Sequence, residues 1–148
     1  MEAIIFVGIP ASGKSSFYAQ RFASTHVRIS RDLLKTKYRE QRFIKTCLET
    51  NQSMVIDNTS PTRLERQRLI TLIQSSAMPC RVVGYYFQSR IADCLRRNQR
   101  RPDAVPEVAI IAKAKQLELP SLSEGFEKLV YVRLTETGFE VERWNDEV

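Results

Sequence analysis

Hydrophobic and polar positions along the chain fall into alternating blocks of two lengths. Short apolar runs rich in β-branched residues predict five strands, at Ala3–Val7, Val27–Ile29, Met54–Ile56, Arg81–Phe87 and Leu129–Val132. Longer stretches with helical periodicity lie between them, at Lys14–Ala23, Asp32–Glu49, Pro61–Ser76, Arg90–Arg97 and Pro106–Leu117. Strands that alternate with helices favour right-handed crossovers and a parallel sheet covered on both faces. The pattern therefore predicts an α/β fold with its binding site at the carboxyl ends of the strands.

The C-terminal part departs from this alternation of strands and helices, because polar and apolar residues alternate over Leu134–Glu142. Such alternation predicts a short terminal hairpin with its turn near Gly138. The sequence has no internal repeat, low-complexity segment or linker, so residues 1–148 are predicted to form a single domain. A chain of 148 residues is long enough to bury a core without disulfides or a structural metal.

Composition narrows the class of protein. No apolar run is long enough to span a bilayer, and the N-terminus lacks the basic region and cleavage site of a signal peptide. Cys47, Cys80 and Cys94 share no metal-ligand spacing, which is typical of free thiols in a reducing, cytoplasmic setting. The single histidine, His26, excludes a metal site built from several histidines. The net charge of +6 favours a polyanionic partner, although any enzyme that handles phosphate gathers cations.

The segment Gly8–Ser15 has the pattern G-x-x-x-x-G-K-S and directly follows the first predicted strand. Its glycines let backbone N–H groups approach phosphates, its lysine reaches the β- and γ-phosphates, and its final serine ligates Mg²⁺. The segment therefore predicts binding of a nucleotide with Mg²⁺, and ATP is favoured over GTP because no guanine-reading N-K-x-D motif is present. The alternative is a merely flexible glycine loop. The residues expected around the phosphates are Gly8, Pro10, Ala11, Ser12, Gly13, Lys14, Ser15 and Ser16.

Two carboxylates follow the second and third predicted strands. Asp32, in Ser30-Arg31-Asp32, stands where a general base would accept the proton of an attacking hydroxyl. Its spacing is equally consistent with a cap on the next helix. Asp57, at the end of Val55–Thr59, is expected to approach Mg²⁺ and the serine of the phosphate loop, and the alternative is an aspartate that starts a turn.

Two groups of cations fall near these acids. One ends at Pro102 and predicts a helix that leads into a lid, with Arg90, Arg96, Arg97, Arg100 and Arg101. The other recurs every three to four residues along the second predicted helix, at Lys35, Arg39, Arg42 and Lys45. The same helix would direct Leu34, Tyr38 and Leu48 to the core. Each cationic group is either a phosphate-binding surface or a plain solvated helix face.

The motifs G-x-P-x-S-G-K-S, S-R-D, I-D-N-T-x-P, R-N-x-R-R and A-V-P occur in this order between Ile4 and about Val132. Together with Pro120-x-x-x-Glu124-Gly125-Phe126, this combination resembles the kinase module of 5′-polynucleotide kinases. The resemblance implies a P-loop kinase fold: a five-stranded parallel sheet flanked by helices, with an arginine-bearing lid and a short C-terminal hairpin. It also implies transfer of the γ-phosphate of ATP to the 5′-hydroxyl end of DNA or RNA.

The resemblance carries over to individual positions. Lys14 and Ser15 would hold ATP and Mg²⁺, and Lys14 would also be catalytic by neutralising the charge of the transferring phosphate. Asp32 would be the general base that contacts the acceptor. Lys35 stands where some members of the family have an arginine that contacts substrate phosphate. Asp57 matches the acid after the third strand, which would serve both metal and substrate.

The resemblance also assigns roles to several arginines. Arg97 and Arg101 match the two lid arginines, of which Arg97 would bind ATP and Arg101 would be catalytic. The register of the short lid leaves Arg100 as the alternative to Arg101. Arg39, on the predicted basic helix face, is a further expected substrate contact.

Many end-repair enzymes of this kind also carry a 3′-phosphatase with a D-x-D-x-T motif, which these 148 residues lack. The expectation is therefore a kinase whose phosphatase or ligase partner is a separate protein. Two other functions stay open at this stage. One is a P-loop kinase for a small-molecule hydroxyl, and the other is a regulatory nucleotide-binding ATPase.

Overall fold

The computed structural model describes residues 1–144. The strands in this range are β1 (Glu2–Val7), β2 (Val27–Ile29), β3 (Met54–Ile56), β4 (Arg81–Phe87), β5 (Lys128–Thr135) and β6 (Gly138–Arg143). The helices are α1 (Lys14–Arg21), α2 (Arg31–Leu34), α3 (Lys37–Glu49), α4 (Arg63–Gln74), α5 (Ile91–Asn98) and α6 (Glu107–Gln116), followed by a 3-10 turn at Leu122–Glu124. No helix in this part of the chain is long and apolar enough to cross a membrane.

The strands form one sheet in the order β2-β3-β1-β4-β5-β6. The first five strands are parallel, and β6 pairs antiparallel with β5, with Gly138 opposite Thr135. The predicted five-stranded parallel sheet and terminal hairpin are confirmed. The first arm of the hairpin is the end of β5 itself, so the hairpin adds only one strand. This topology brings the carboxyl ends of β1, β2 and β3 to one edge, where the loops with the candidate residues meet.

The core lies on both faces of the sheet, because successive side chains of a strand point to opposite faces. On one face the ring of Phe87 lies 4.8 Å from Phe6 and 5.4 Å from Phe17 of α1, measured between centroids. On the other face Ile5 packs in the cluster that includes Ile70 of α4. Burial of each such side chain contributes about 1.5–3 kcal/mol. The buried strand β1 therefore fixes the start of the loop that follows it.

The predicted second helix, Asp32–Glu49, is two helices, and this part of the prediction is wrong. After α2 ends at Leu34, Lys35 adopts a φ of 74°, which lies outside helical geometry. Thr36 then begins α3 as its cap, and its hydroxyl accepts a hydrogen bond from the backbone N–H of Arg39 at 3.2 Å. A cap of this kind satisfies an otherwise unpaired N–H group and stabilises the new helix start.

The helix break also changes which residues share a surface. Lys35 precedes α3 and does not share a helix face with Arg39. Tyr38, predicted to face the core, has 70% of its surface exposed, whereas Leu48 is buried as predicted. Glu40 takes a core-facing position instead and is fully buried. The sheet-facing side of α3 thus carries a charged residue among apolar ones.

A buried ion pair ties α4 to the 3-10 turn before β5. Arg66 is fully buried and donates to the two carboxylate oxygens of Glu124 at 2.8 and 3.2 Å. Its guanidinium also donates to the carbonyl oxygens of Ser60 and Pro61, in the loop after β3. The same Glu124 accepts from the Ser121 backbone N–H at 2.8 Å, as part of a capping box. One arginine therefore holds the loop beside the site.

Substitution of Glu124 tests this role. Glu124→Ala leaves the Arg66 charge buried without its carboxylate and removes the cap, so we expect a loss of about 3–5 kcal/mol in the free energy of unfolding. Glu127→Ala is the matched control, since the ion pair between Glu127 and Arg81 is exposed and should leave stability nearly unchanged. Urea denaturation of the two variants measures both effects. Equal midpoints would contradict a stabilising role for the buried pair.

Candidate active site

Hydrogen bonds tie the loop between β1 and α1 to the segments that follow β3 and β4, the two strands beside β1. The backbone N–H of Gly8 donates to the Thr59 carbonyl at 3.0 Å, after β3, and that of Ile9 donates to Ser89 Oγ at 3.1 Å, after β4. Gly13 forms the N-cap of α1 with a φ of 100°, a conformation that residues with a Cβ rarely adopt. The predicted strand, phosphate loop and helix are therefore present, with the helix N-terminus directed at the loop.

The terminal hairpin packs directly on this loop. A Cβ on Gly13 would lie 2.9 Å from the Phe139 ring, so a larger residue at this position would force the ring to move. Arg97 of α5 donates to the carbonyl oxygens of Ala11, at 3.2 Å, and Leu134, at 3.3 Å. Arg97 thus joins the loop, the lid helix and the hairpin.

Lys14, the first residue of α1, is buried against the loop, and its Nζ donates to the Ile9 carbonyl at 3.0 Å. Burial lowers the pKa of this amine from 10.5 to about 8, against the opposing attraction of Asp57. The Ser12 hydroxyl is also buried, and it has no hydrogen-bond partner among the described residues. A buried cation that lines the cavity fits an anionic ligand.

The next feature is a contact between the loop serine and the acid after β3. The Ser15 hydroxyl donates to Asp57 Oδ2 at 3.0 Å, and the Asp57 side chain is only 2% exposed. Arg28 of β2 donates to the same oxygen from Nε at 2.9 Å and to Ser15 Oγ from Nη2 at 3.1 Å. Sequence reasoning singled out Ser15 and Asp57 but missed Arg28.

Asp32 lies in the first turn of α2, where it is exposed and lines the cavity. The N-cap of α2 is Ser30, so capping is not what Asp32 does. The backbone N–H of Arg31 donates to Asn58 Oδ1 at 2.8 Å, which fixes the start of α2 against the loop after β3. Asp32 is thereby held at the edge of the sheet beside the phosphate loop.

Buried Glu40 binds the cationic side chains near α2 and the loop after β3. It accepts from Arg68 Nη2 at 2.6 Å and from Asn58 Nδ2 at 2.8 Å, and Arg31 makes two longer contacts of 3.4 Å. Burial raises the pKa of Glu40, but the hydrogen bonds from Arg68, Asn58 and Arg31 outweigh it and hold this pKa below its usual value. Arg31 and Arg68 both reach the cavity wall.

One side chain, that of Asn98, links the two ends of the lid, which is the loop between α5 and α6. Asn98 is buried, donates to the Val105 carbonyl at 2.7 Å and accepts from the Val105 backbone N–H at 3.0 Å. Inside this loop Arg101 lines the cavity and pairs with Asp103 at 3.2 Å, which lowers the pKa of that carboxyl. Arg100 is exposed and is not part of the cavity wall.

These elements surround one cavity of about 800 Å³. Most of the candidate residues named from the sequence line it: Pro10, Ala11, Gly13, Lys14, Ser15, Ser16, Asp32, Lys35, Asp57, Arg97 and Arg101. Gly8 and Ser12 are buried in the loop behind it. Arg39 lies apart and donates to the Leu34 carbonyl at 3.4 Å, so it ties α3 to α2 instead. The structure does not bring Arg39 to the cavity wall.

Sequence reasoning missed Arg28, Glu40, Arg68 and Asn98. A usable signal existed for Glu40, since it precedes Ile44, Cys47 and Leu48 at helical spacing and so occupies an apolar stripe. The other three depend on partners far away in the chain or on the closure of a loop. The roles of Arg28 and Arg68 follow from tertiary contacts and leave no local pattern. Asn98 stands in the R-N-x-R-R motif, which gave no sign of its contact with Val105.

Comparison with known proteins supports this picture. A family model described as AAA domain matches residues 4–120. Over 129 residues the chain is 29% identical to the bifunctional polynucleotide phosphatase/kinase of Schizosaccharomyces pombe, a match that covers 84% of this chain and 32% of that protein. The chain therefore spans about a third of the length of this curated relative.

Solved structures agree on the fold. A gluconokinase from Sinorhizobium meliloti 1021 superposes with a TM-score of 0.59 at 19% identity, over 88% of this chain and 81% of that one. Kti12 from Chaetomium thermophilum, in complex with ADP-AlF3, superposes with a TM-score of 0.62 at 15% identity, over 91% of this chain and 92% of that one. At such identities the likeness shows the fold alone, which is the P-loop kinase fold.

The lowered pKa of Lys14 predicts how nucleotide affinity depends on pH. A bound polyphosphate stabilises the charged amine, so above pH 8 binding must be accompanied by uptake of a proton. We expect ADP affinity to fall by up to about tenfold per pH unit above 8. Calorimetry in buffers of different ionisation enthalpy should show proton uptake at pH 9 and little at pH 7. Lys14→Met should abolish the uptake, and an unchanged uptake would assign it to another group.

Proposed function

Since the chain belongs to the AAA domain family and has the P-loop kinase fold, we propose that it is an ATP-dependent polynucleotide 5′-hydroxyl kinase. The proposal rests above all on one observation: Asp32 and the phosphate loop line the same cavity. A donor phosphate and an acceptor hydroxyl held there would meet in line, which is most of what phosphoryl transfer requires of a protein. The name of the curated relative supports a polynucleotide as the acceptor.

The donor side comprises the phosphate loop and the lid. Backbone N–H groups of the loop, together with Lys14, would hold the phosphates of ATP, and Arg97 would support the nucleotide from α5. Arg101 lines the cavity near Lys14 and would stabilise the charge of the transferring phosphoryl group.

Ser15 and Asp57 fit Mg²⁺, because hydroxyl and carboxylate oxygens are its preferred ligands. Mg²⁺ usually binds through one or two carboxylates plus substrate phosphates. Accordingly, residues 1–144 hold no cluster of three metal-ligating acids, histidines or cysteines. When bound, the ion neutralises phosphate charge. Ser15 and Asp57 would fix its position relative to Lys14.

The acceptor side is the end of the cavity formed by α2 and the loop after β3. Asp32 would accept the proton of the attacking 5′-hydroxyl as general base. Lys35 lines the same wall and would contact an acceptor phosphate, supported by Arg31 and Arg68. Contacts of this kind are electrostatic, so binding should weaken steeply with salt.

The class of acceptor is tested by transfer of labelled γ-phosphate from ATP with Mg²⁺. A 5′-hydroxyl oligonucleotide should be labelled, while its 5′-phosphorylated twin should not. A free nucleoside and gluconate run beside them represent small-molecule acceptors. Label on either of these alone would replace the proposal with a small-molecule kinase. ATP hydrolysis without dependence on any acceptor would indicate a regulatory ATPase.

Asp32→Asn tests the general base. We expect the transfer rate to fall by about 10²–10⁴-fold with ATP affinity unchanged, because the amide cannot accept the proton. Asp93→Asn is the matched control, since Asp93 pairs with Arg96 on the surface of α5. Single-turnover transfer and equilibrium ATP binding separate the two effects. Near-normal transfer by Asp32→Asn would remove this residue as the base.

Adjacent arginines provide a comparison within the lid. Arg101→Ala should lower turnover by about 10³–10⁵-fold with a much smaller change in ATP affinity, as expected for a contact made in the transition state. Arg100→Ala removes the same charge outside the cavity wall and should remain active. Steady-state kinetics on both variants decide the assignment. The reverse order of effects would exchange the two roles.

A further inference from the structure

Arg28 is one of the residues at the site to which no sequence motif assigns a role. It lies on β2, and its guanidinium reaches across to the ends of α1 and β3. Nε donates to Asp57 Oδ2 at 2.9 Å, and Nη2 donates to Ser15 Oγ at 3.1 Å. Ser15 Oγ in turn donates to the same Asp57 oxygen at 3.0 Å. Arg28, Ser15 and Asp57 therefore form a closed triangle of hydrogen bonds, which we call the Arg28 triangle.

The charges in the triangle are balanced. The Asp57 carboxylate is 2% exposed, and a buried carboxylate requires a compensating cation. Arg28, with 31% of its side chain exposed, forms an ion pair with it. Lys14 also attracts Asp57, but its hydrogen bond goes to the Ile9 carbonyl. The guanidinium thus supplies, from the protein itself, the positive charge that this carboxylate needs.

The triangle uses the oxygens that a divalent cation would need. Ser15 Oγ and Asp57 are the ligands proposed above for Mg²⁺, and both already contact Arg28. A divalent ion arriving alone would meet a neutralised carboxylate and the repulsion of a nearby guanidinium. The phosphates of a nucleotide bring several negative charges and outweigh that repulsion.

From this arrangement we infer that Arg28 is a built-in counter-cation that couples metal binding to nucleotide binding. In the nucleotide-free protein it neutralises Asp57 and keeps divalent cations weakly bound. The metal then enters together with the nucleotide phosphates. By thermodynamic linkage the metal strengthens nucleotide binding by the same factor. The inference shares its metal site with the proposed kinase function but requires no particular acceptor.

The wild-type protein provides the first test. Nucleotide-free protein should show no saturable Mn²⁺ binding, detected by the electron paramagnetic resonance of free Mn²⁺, at concentrations that saturate the protein in the presence of ADP. Saturable binding of Mn²⁺ alone in that range would overturn the inference. This measurement involves neither transfer nor an oligonucleotide, so failure of the proposed function would leave its outcome intact.

Arg28→Gln provides the second test, since glutamine keeps a donor but removes the charge. We expect Mn²⁺ alone to bind at least about fivefold more tightly than in wild type, within the 5- to 150-fold range of common coupling factors. The factor by which Mn²⁺ strengthens ADP binding should shrink correspondingly. Arg28→Lys keeps the charge and should retain weak binding of Mn²⁺ alone.

The control for net charge is Arg21→Gln, at the far end of α1, which should bind Mn²⁺ as wild type does. A purely structural role for Arg28 would lower the melting temperature of Arg28→Gln and leave its affinity for Mn²⁺ unchanged. That result would overturn the inference. If Arg28→Gln does not fold, saturable binding of Mn²⁺ alone to the wild-type protein or to Arg28→Lys would still overturn the inference.

Discussion

The pairing of β1 with β3 is the constraint on which the rest of the site depends. Ile5 lies opposite Ile56, the last residue of β3, and β1 continues to Val7, so the segment after β3 runs beside the end of β1. The hydrogen bond from Gly8 to Thr59 extends this register beyond the strands. Ser15 and Asp57 are 42 residues apart in sequence and meet at 3.0 Å because of it. A slip of the register would separate them.

The residues that line the cavity are held in place differently on the two sides of the β1–β3 pair. On the β2 side, buried Glu40 and Asn58 fix Arg31, Arg68 and the start of α2 through short hydrogen bonds. On the β4 side, the lid depends on the pair of bonds between Asn98 and Val105. The cavity wall proposed to hold the acceptor is therefore anchored to the core, whereas Arg101 sits in a loop with an exposed partner, Asp103. Such a difference suits the roles proposed for Asp32, as a fixed base, and for Arg101, as an arginine that closes on the nucleotide.

Whether a feature could be predicted from the sequence depends on how far apart in the chain its interacting residues lie. The phosphate loop and the strand-end acids were predictable, because short motifs next to apolar runs encode them. Helical periodicity could not reveal the break at Lys35, since a stretch of two short helices preserves much of the same spacing. The Thr36 cap was the local sign that was missed. Arg28 acts through the folded sheet, which no local pattern describes, and the R-N-x-R-R motif that contains Asn98 does not reveal its contact across the lid.

Arginine recurs wherever this fold buries a carboxylate. Glu124, Glu40 and Asp57 are each met by guanidinium groups, from Arg66, from Arg68 with Arg31, and from Arg28. The planar fork can satisfy two oxygens from one direction and keeps its charge at any ordinary pH, which a lysine cannot do as well. The planar geometry of arginine therefore suits all three positions.

The three ion pairs differ in exposure, and this difference separates their roles. Arg66 is fully buried and can only support the fold, whereas Arg28 and Arg31 reach the surface beside the site. Side chains that remain partly solvated can exchange partners when a polyanion arrives, so the same interaction that stabilises the scaffold also prepares the site for its ligand.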